Sequence, residues 1–211
     1  MKDIIVFGAG GRAGRAAVEE ALRRGHRVTA VVRDPAGHGD LAADGVRIAA
    51  GDVTDATGVA RLAEGHDAAV NAAADITAQA DVFFAGAARA LLDGLTQAGA
   101  GRLVSVGLAS VLETAAGALL MDTPGYPQEY RSFYLGHAAG NDVLGAATTS
   151  LDWLILSPSG DFRHDGVSTG RYRAAPAEAD SRISYPDFAI ALLDEIDTPE
   201  HHRTHLGVEE Y

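Results

Sequence analysis

The sequence predicts a single α/β domain built on a doubly wound parallel sheet, and three observations support that prediction. Short apolar runs alternate with Ala-rich stretches of helical character along most of the chain. The first of these runs passes directly into a glycine-rich loop and then into a helix. The chain has 211 residues, the size of one domain, and no repeat or Pro- and Ser-rich linker divides it. Strands that alternate with helices form a parallel sheet covered on both faces.

The first half of the chain shows the clearest alternation. β-Branched and apolar runs predict strands at residues 4–7, 28–32, 46–49 and 68–71. Helices are expected at about 12–24, 55–64 and 81–98. Gly25 ends the first helix in the usual position after its last turn, and Thr54 or Asp55 is the N-cap of the second. The opening strand–loop–helix–strand segment therefore has the length of one βαβ unit.

The second half is less regular. Strands are predicted at 103–106, at 153–156 and, as a final short strand, at 205–208. The composition of 107–126 is that of a loop, and helices are expected within 127–147 and at 186–197. Pro186 lies in the first turn of the last helix, where its missing N–H is tolerated. The C-terminal third, about 157–211, is expected to supply substrate loops to the same domain.

Composition excludes several kinds of chemistry. Without cysteine, the chain forms no disulfide, thiolate metal site or cysteine nucleophile. Lys2 is the one lysine, so Schiff-base chemistry and Walker-type phosphate loops are excluded. The 29 acidic residues outnumber the 17 Lys and Arg residues, and the net charge of −12 disfavours a nucleic-acid surface. No long apolar run predicts a leader peptide or a membrane span, so we expect a cytoplasmic protein.

A glycine-rich loop follows the first predicted strand. Its glycines, at 8, 10, 11 and 14, form the pattern G-x-G-G-x-x-G. Gly8 permits a tight turn out of the strand, and Gly14 lets the helix pack close to the sheet. Gly10 or Gly11 lets the backbone approach a diphosphate. The strand–loop–helix context favours a Rossmann-type dinucleotide-binding fold over the alternative of a glycine-rich turn without a ligand.

The start of the first helix is the predicted diphosphate site. Free backbone N–H groups and the helix dipole favour an anion there. Arg12 and Ala13 lie at this point of the sequence, so we expect them to contact the cofactor together with the glycines.

The end of the second strand distinguishes NADP from NAD. Proteins that bind NAD usually place Asp or Glu there to hold the ribose 2′-hydroxyl. Here Arg33 occupies the position and Asp34 follows it. A guanidinium suits a 2′-phosphate, and Arg12 would close on the same group, so the predicted cofactor is NADP, as NADPH. In the alternative, Arg33 is a solvated loop residue and Asp34 binds the ribose of NAD.

Further cofactor contacts are predicted at other strand ends, because open α/β sheets bind ligands at the carboxyl ends of their strands. Asp52 and Val53 follow the third strand, and the Asp52 carboxylate would accept from the adenine amino group. A cap at the start of the next helix is its alternative role. The predicted set also includes Asn71, Ala72, Ala73 and Ser105.

A proton donor is harder to identify from the sequence. The arrangement resembles the short-chain dehydrogenase/reductase superfamily, whose members usually use a Tyr-x-x-x-Lys pair; this chain lacks the pair because its one lysine is Lys2. The candidate catalytic residues are His137, Tyr130 and Tyr134, in the helical region after the fifth strand. Each has the alternative role of packing within that helix.

Other histidines are weaker candidates. His164, in the loop beyond the sixth strand, faces either a pocket or solvent. His201 and His205 are four residues apart, a spacing found in metal sites. No neighbouring cluster of ligands supports that interpretation, so His201, His202 and His205 are predicted to be surface residues and no metal is expected.

Motifs in the second half resemble those of a known family. They resemble the bacterial NAD(P)H-binding family described as NADH-flavin reductase-like, which is an atypical branch of the short-chain dehydrogenase/reductases. The motifs that carry the resemblance lie at 103–113, 121–124, 128–130, 151–153, 156–159, 169–172, 181–184 and 187–189. The chain is also similar to biliverdin-IXβ/flavin reductase and to NmrA-like proteins. In that family a Ser-Pro or Pro-Pro pair after the sixth strand lies by the nicotinamide. The resemblance implies the same position for Ser157, Pro158 and Ser159.

The resemblance implies a reductase of conjugated acceptors. The bilin reductase has His and Ser side chains where this chain has Ser159 and Leu108 or Ser110. Flavins and quinones spread incoming charge over a ring system, so they depend less on a positioned acid than a plain ketone does. The leading hypothesis is an NADPH-dependent reductase of a flat small molecule, acting as a monomer or homodimer. The alternatives are a non-catalytic NmrA-like NADP sensor and a nucleotide-sugar epimerase or isomerase.

Overall fold

The computed structural model describes residues 1–211. Its helices are α1 (Arg12–Arg23), α2 (Ala56–Ala63), α3 (Ala80–Ala98), α4 (Arg131–Gly145) and α5 (Tyr185–Asp197). Its strands are β1 (Asp3–Phe7), β2 (Arg27–Val32), β3 (Val46–Ala50), β4 (Ala68–Asn71), β5 (Arg102–Val106), β6 (Asp152–Pro158), β7 (Asp161–Arg163), β8 (Tyr172–Ala174), β9 (Arg182–Ser184) and β10 (Thr204–Glu210).

Eight strands form one sheet in the order β3-β2-β1-β4-β5-β6-β10-β8. All neighbouring strands are parallel except β8, which pairs antiparallel with β10. The strand order reverses beside β1, because the chain first moves outward to β3 and then returns to β4. This reversal opens a crevice at the carboxyl ends of β1 and β4. The predicted doubly wound, Rossmann-type α/β fold is confirmed.

The sheet is buried on both faces, as a parallel sheet requires. One core cluster, of 22 buried residues, includes inward-facing residues of α1 and α5, among them Val18 and Phe188. The other, of 18 buried residues, includes residues of α2, α3 and α4, among them Val59 and Leu91. The two clusters are similar in size, so neither face of the sheet is left open to solvent.

The C-terminal third differs from the sequence prediction. The final strand runs over seven residues instead of four and lies inside the sheet, between β6 and β8. β6 also continues to Pro158, so Ser157 and Pro158 lie within the strand and not after it. The three-residue strands β7, β8 and β9 were not predicted from the sequence, since a run of three residues is too short to show a periodic pattern.

Two helix starts illustrate how local sequence defines the elements. Ser184 caps α5 by accepting a hydrogen bond from the backbone N–H of Asp187, and Pro186 lies in the first turn. Asp55, one of the two predicted caps, occupies the N-cap position of α2. No helix of the chain is both long enough and apolar enough to cross a membrane.

Candidate functional site

A groove of about 490 Å³ runs along the carboxyl ends of β1, β2 and β4. Its size is within the usual range for sites that bind small molecules. Most of the predicted cofactor residues line it: Gly8, Gly10, Gly11, Arg12, Ala13, Arg33, Asp52, Val53, Ala72 and Ala73. The fold therefore brings together, in one groove, residues that the sequence distributes over four loops.

Two glycines of the loop are required by close backbone packing. Gly8 has a φ of +75°, and a Cβ there would lie 2.5 Å from the backbone nitrogen of Ala73. At Gly14, a Cβ would lie 2.2 Å from the carbonyl oxygen of Gly8. Gly14 thus keeps α1 close to the turn, although it does not line the groove itself.

Gly10 and Gly11, which the sequence left equivalent, differ in their surroundings. A Cβ at Gly10 would lie 2.5 Å from Cε1 of His38, a residue of the loop after β2. At Gly11 the nearest atom is the Gly8 carbonyl oxygen, at an ordinary contact distance of 3.5 Å. Gly11 is also the N-cap of α1 and provides no side-chain cap, so the first amides of the helix lack internal partners. This open cradle of backbone amides fits the diphosphate of a dinucleotide.

Arg33 is held across the mouth of the groove by a carboxylate. Its Nη1 lies 2.5 Å from Oδ2 of Asp75, which follows β4. The other carboxylate oxygen of Asp75 accepts from the backbone N and the Oγ1 of Thr77, at 2.9 and 2.6 Å. The hydrogen bonds from Thr77, followed by that from Arg33, lower the pKa of Asp75 to about 2. Asp75 is therefore ionised at neutral pH and forms a charged pair with Arg33.

Two other acidic residues near the end of β2 and β3 act as caps. Asp52 accepts from the backbone N and Oγ1 of Thr54, in the turn before α2, and it also lines the groove. Its contact with adenine stays a prediction. Asp34 accepts from the backbone N of Ala36 and does not line the groove. Of the two residues at the end of β2, Arg33 therefore lines the groove and Asp34 does not.

Aromatic residues of the C-terminal third cover one side of the groove. The rings of Phe162, in β7, and Tyr185, at the start of α5, stack with centroids 4.2 Å apart and an interplanar angle of 11°. Nδ1 of His164 lies 2.8 Å from Nη1 of Arg12 and 3.3 Å from the hydroxyl of Tyr185. The segment after β7 therefore touches the glycine loop, and the exposed His164 contacts two residues that line the groove.

Asp187 anchors the loop that carries this segment. Its side chain is fully buried and accepts hydrogen bonds from the Ser168 hydroxyl, the Thr169 and Gly170 amides and the Ser184 hydroxyl. Burial acts to raise the pKa of Asp187, but these hydrogen bonds outweigh it and lower the pKa below its ordinary value. One ionised carboxylate thus joins the loop to the start of α5.

A second cavity, of about 440 Å³, lies at the carboxyl ends of β5 and β6. Leu108, Tyr126 and Tyr134 are among its lining residues, and the two tyrosine rings lie 5.6 Å apart. The hydroxyls of Ser110 and Tyr126 are 2.9 Å apart. An aromatic wall with a pair of hydroxyls suits a flat organic molecule that carries polar ring atoms.

A comparison with protein families matches this chain to a model described as NAD(P)H-binding, over residues 8–199. The match begins at the first glycine of the loop and ends just beyond α5. The chain belongs to the NAD(P)H-binding family. The resemblance drawn from the sequence motifs is confirmed, and the match supports a nicotinamide cofactor for this chain.

Relatives within or near the NAD(P)H-binding family have been given different names. The uncharacterized protein YwnB of Bacillus subtilis (strain 168) is 37% identical over 204 residues, which cover 93% of this chain and 92% of YwnB. A candidate NADH-flavin reductase from Streptococcus pneumoniae TIGR4 has a TM-score of 0.84 and 29% identity, with 100% of both chains covered. A candidate epimerase from Bacteroides thetaiotaomicron has a TM-score of 0.86 and 30% identity, with 99% of this chain and 97% of that chain covered.

Several predicted cofactor residues of this NAD(P)H-binding chain lie outside the groove: Gly14, Asn71, Ser105, Ser157, Pro158 and Ser159. The Asn71 amide donates to the Ser105 hydroxyl, and both residues line a smaller cavity against α3 and α4. Ser157 and Ser159 are fully buried, and the Ser159 hydroxyl donates to the Ala175 carbonyl. β10 pairs with β6 alongside Ser157 and Pro158. The contact of the Ser-Pro pair with nicotinamide stays a prediction.

The three predicted proton donors occupy different environments. His137 packs on Phe84 and Phe133, with ring centroids 3.7 and 5.0 Å away, and burial lowers its pKa to about 3. Its imidazole is therefore neutral at physiological pH. Tyr134 is buried and lines the second cavity, and burial raises the pKa of its hydroxyl. Tyr130 is 58% exposed and lines neither the groove nor the second cavity.

The prediction of surface histidines near the C-terminus is wrong for His205. Its Nε2 lies 2.7 Å from the Ser157 hydroxyl, and burial lowers its pKa to about 4. The reason is that β10 is an interior strand of the sheet. Nδ1 of His201 lies 2.6 Å from Oε1 of Glu195, and Nδ1 of His202 lies 2.8 Å from Oδ2 of Asp152.

Sequence reasoning missed some residues that line the two cavities: His38, Asp75, Phe162 and Tyr185 in the groove and Tyr126 in the second cavity. Asp75 had a usable signal, because it follows the carboxyl end of a predicted strand. Phe162 and Tyr185 belong to or follow three-residue strands, and no local pattern of the sequence indicates that they meet the glycine loop.

Proposed function

We propose that the protein is an NADPH-dependent reductase of a flat conjugated acceptor such as a flavin or a quinone. One observation carries the proposal: the dinucleotide groove and the aromatic-lined second cavity open at the carboxyl edge of the same sheet. In open α/β sheets this edge is where ligands bind, so cofactor and acceptor would meet there. The name of the Streptococcus pneumoniae relative, a candidate NADH-flavin reductase, supports the same activity.

The groove side would bind and orient the cofactor. The first amides of α1 and the guanidinium of Arg12 would hold the diphosphate. Arg33 would hold a 2′-phosphate, because a permanently charged planar guanidinium binds phosphate well. The contact between Arg33 and the 2′-phosphate is the reason why the proposed cofactor is NADPH and not NADH. When bound, the nicotinamide supplies a hydride.

The second cavity would bind the acceptor by stacking and a hydrogen bond. Leu108, Tyr126 and Tyr134 would pack on a flat ring, and the Ser110–Tyr126 pair would hydrogen-bond a polar ring atom. His137 is neutral and the chain has no lysine to activate a tyrosine. Hydride transfer to a conjugated ring needs chiefly proximity, and water would supply the proton.

The test is oxidation of NADPH, followed by the loss of reduced-nicotinamide absorbance, with FMN, with menadione and without an acceptor. Gly11→Val is the control. A Cβ at Gly11 makes only an ordinary contact with the protein, whereas the valine side chain would occupy the space of a bound diphosphate. We expect turnover with at least one acceptor and none in the control. Binding of NADPH without turnover would favour the sensor, and interconversion of a nucleotide sugar without net oxidation would favour the epimerase.

A further inference from the structure

The ion pair between Arg33 and Asp75 joins two very unequal partners. The side chain of Arg33 is 72% exposed, whereas that of Asp75 is 14% exposed. Thr77 fixes one carboxylate oxygen of Asp75 with two hydrogen bonds and leaves the other for Arg33. Asp75 is therefore a fixed anion, and Arg33 is the mobile partner that it holds.

No other acidic side chain competes for Arg33 in this structure. Asp75 is its one ion-pair partner. The charge of Arg33 helps to lower the pKa of Asp52, so the two residues are near one another. The Asp52 carboxylate, however, accepts its hydrogen bonds from Thr54. Asp34 is engaged by the backbone of Ala36. The position of Arg33 before a ligand arrives is thus set by Asp75.

We propose that Asp75 weakens the preference for NADPH over NADH by holding Arg33. This inference rests on the proposed use of Arg33 as the 2′-phosphate ligand. A 2′-phosphate must draw the guanidinium away from Asp75, so the ion pair opposes the binding of NADPH. NADH has no such group and leaves the pair intact. Asp75 therefore lowers the ratio of NADPH affinity to NADH affinity, so that NADH still competes for the groove.

Asp75→Asn tests this directly, because the amide oxygen still accepts from Thr77 while the charge is lost. An exposed ion pair is a weak interaction, so the expected effect is a gain of about two- to fivefold in NADPH affinity at low salt. The affinity for NADH should change less than about twofold, within the scatter of such measurements. Asp55→Asn is the matched control, since it makes the same charge change at the same sheet edge in a residue outside the groove.

A double-mutant cycle with Arg33→Ala shows whether Asp75 acts through the arginine. In the Arg33→Ala background, Asp75→Asn should leave the ratio of NADPH to NADH affinity unchanged. An equal gain with and without Arg33 would overturn the proposal, because Asp75 would then act on the phosphate by direct repulsion. A loss of NADPH affinity in Asp75→Asn would also overturn it. If the wild-type protein binds neither cofactor, the proposed function itself fails, which is a distinguishable result.

Discussion

The carboxyl edge of the sheet has two halves that are built in different ways. The nucleotide half is the groove at β1, β2 and β4, and most of its lining comes from loops that directly follow consecutive strands. The other half, which we propose binds the acceptor and call the acceptor half, is the second cavity at β5 and β6, lined by segments as far apart as Leu108 and Arg182. One half is thus a product of local sequence, whereas the other depends on long-range packing.

This difference indicates which half of the edge tolerates substitutions that would change ligand specificity. In the nucleotide half, backbone atoms make the close contacts, as at Gly8 and Gly14, so few substitutions are tolerated. In the acceptor half, side chains of loops form the wall, and loops accept substitution more readily than strands do. Relatives of nearly the same fold, one named as a reductase and another as an epimerase, are consistent with this division.

The largest effect should come from breaking the nucleotide half at Gly11. Gly11→Val should weaken NADPH binding by at least about a hundredfold, because the side chain would occupy the diphosphate position. The melting temperature should stay within about 2 °C of the wild type, since a Cβ at Gly11 meets its nearest atom, the Gly8 carbonyl oxygen, at an ordinary distance of 3.5 Å. Calorimetric titration and a thermal melt measure the two quantities. Retained affinity in folded Gly11→Val would show that the loop serves only as a turn.

Gly14→Val provides the contrast within the same loop. A Cβ at that position would lie 2.2 Å from the Gly8 carbonyl oxygen, so α1 must move away from the turn. This variant should lower the melting temperature as well as the affinity. Equal melting temperatures for Gly11→Val and Gly14→Val would contradict the difference in packing that the structure shows.

Asp187 anchors the loop beside the nucleotide half. Asp187→Ala removes a buried carboxylate that accepts from five donors, and we expect a loss of about 3 kcal/mol in the free energy of unfolding. Denaturant unfolding of this variant and of Asp165→Ala, an exposed residue of the same loop, measures the effect. A loss of similar size in Asp165→Ala would show that the loop, and not the carboxylate, is responsible.

The same carboxylate predicts a pH dependence of stability. Because the pKa of Asp187 is lowered in the folded protein, its contribution is present above the unfolded value of about 4 and is lost as pH falls through the folded pKa. Unfolding curves at a series of acidic pH values should therefore converge for wild type and Asp187→Ala. Parallel curves at all pH values would argue against an ionised Asp187.

Removing the positive charge of Arg33, at the ribose end of the groove, should have a smaller effect on cofactor affinity. Arg33→Ala should weaken NADPH binding by about 1.5–3 kcal/mol, roughly tenfold to a hundredfold, because a charge-assisted contact with phosphate is lost. Binding of NADH should be nearly unchanged. Calorimetry with both cofactors checks this, and equal affinities for NADPH and NADH in the wild type would refute the assignment of Arg33.

The smallest effects are expected from the candidate proton donors. Tyr130→Phe, Tyr134→Phe and His137→Ala should each lose less than the hundredfold or so in kcat that a general acid typically contributes. Rates with menadione or FMN, at saturating NADPH, provide the comparison. A drop of about a hundredfold in one variant with unchanged cofactor affinity would identify that residue as an acid. The acceptor would then be better sought among simple carbonyl compounds.

The sequence predicted the nucleotide half well because its determinants are local. The loop from Gly8 to Gly14 carries its own context of strand and helix, and Arg33 and Asp52 follow strands that could be recognised. The pairing of Arg33 with Asp75 could not be predicted, because it joins the ends of β2 and β4, which are distant in the sequence and adjacent to opposite sides of β1.

The surroundings of the Ser-Pro pair escaped prediction for a related reason. Ser157 and Ser159 lie at the end of a recognisable strand, but their burial depends on β10, which pairs with that strand from the far end of the sequence. His205 begins a predicted strand, yet it was expected at the surface because nothing local shows that β10 lies inside the sheet. Contacts set by strand insertion have no signature within a short window of sequence.

The insertion of β10 between β6 and β8 also determines the order in which the chain can be completed. β8 has no strand neighbour in the sheet other than β10, so Tyr172–Ala174 cannot join the sheet before Thr204–Glu210 has arrived. The strands β1 to β6 need nothing that comes later in the sequence in order to pair with one another. During synthesis, the strands β1 to β6 can therefore pair with one another on the ribosome, whereas β8 joins the sheet only after β10 has been made.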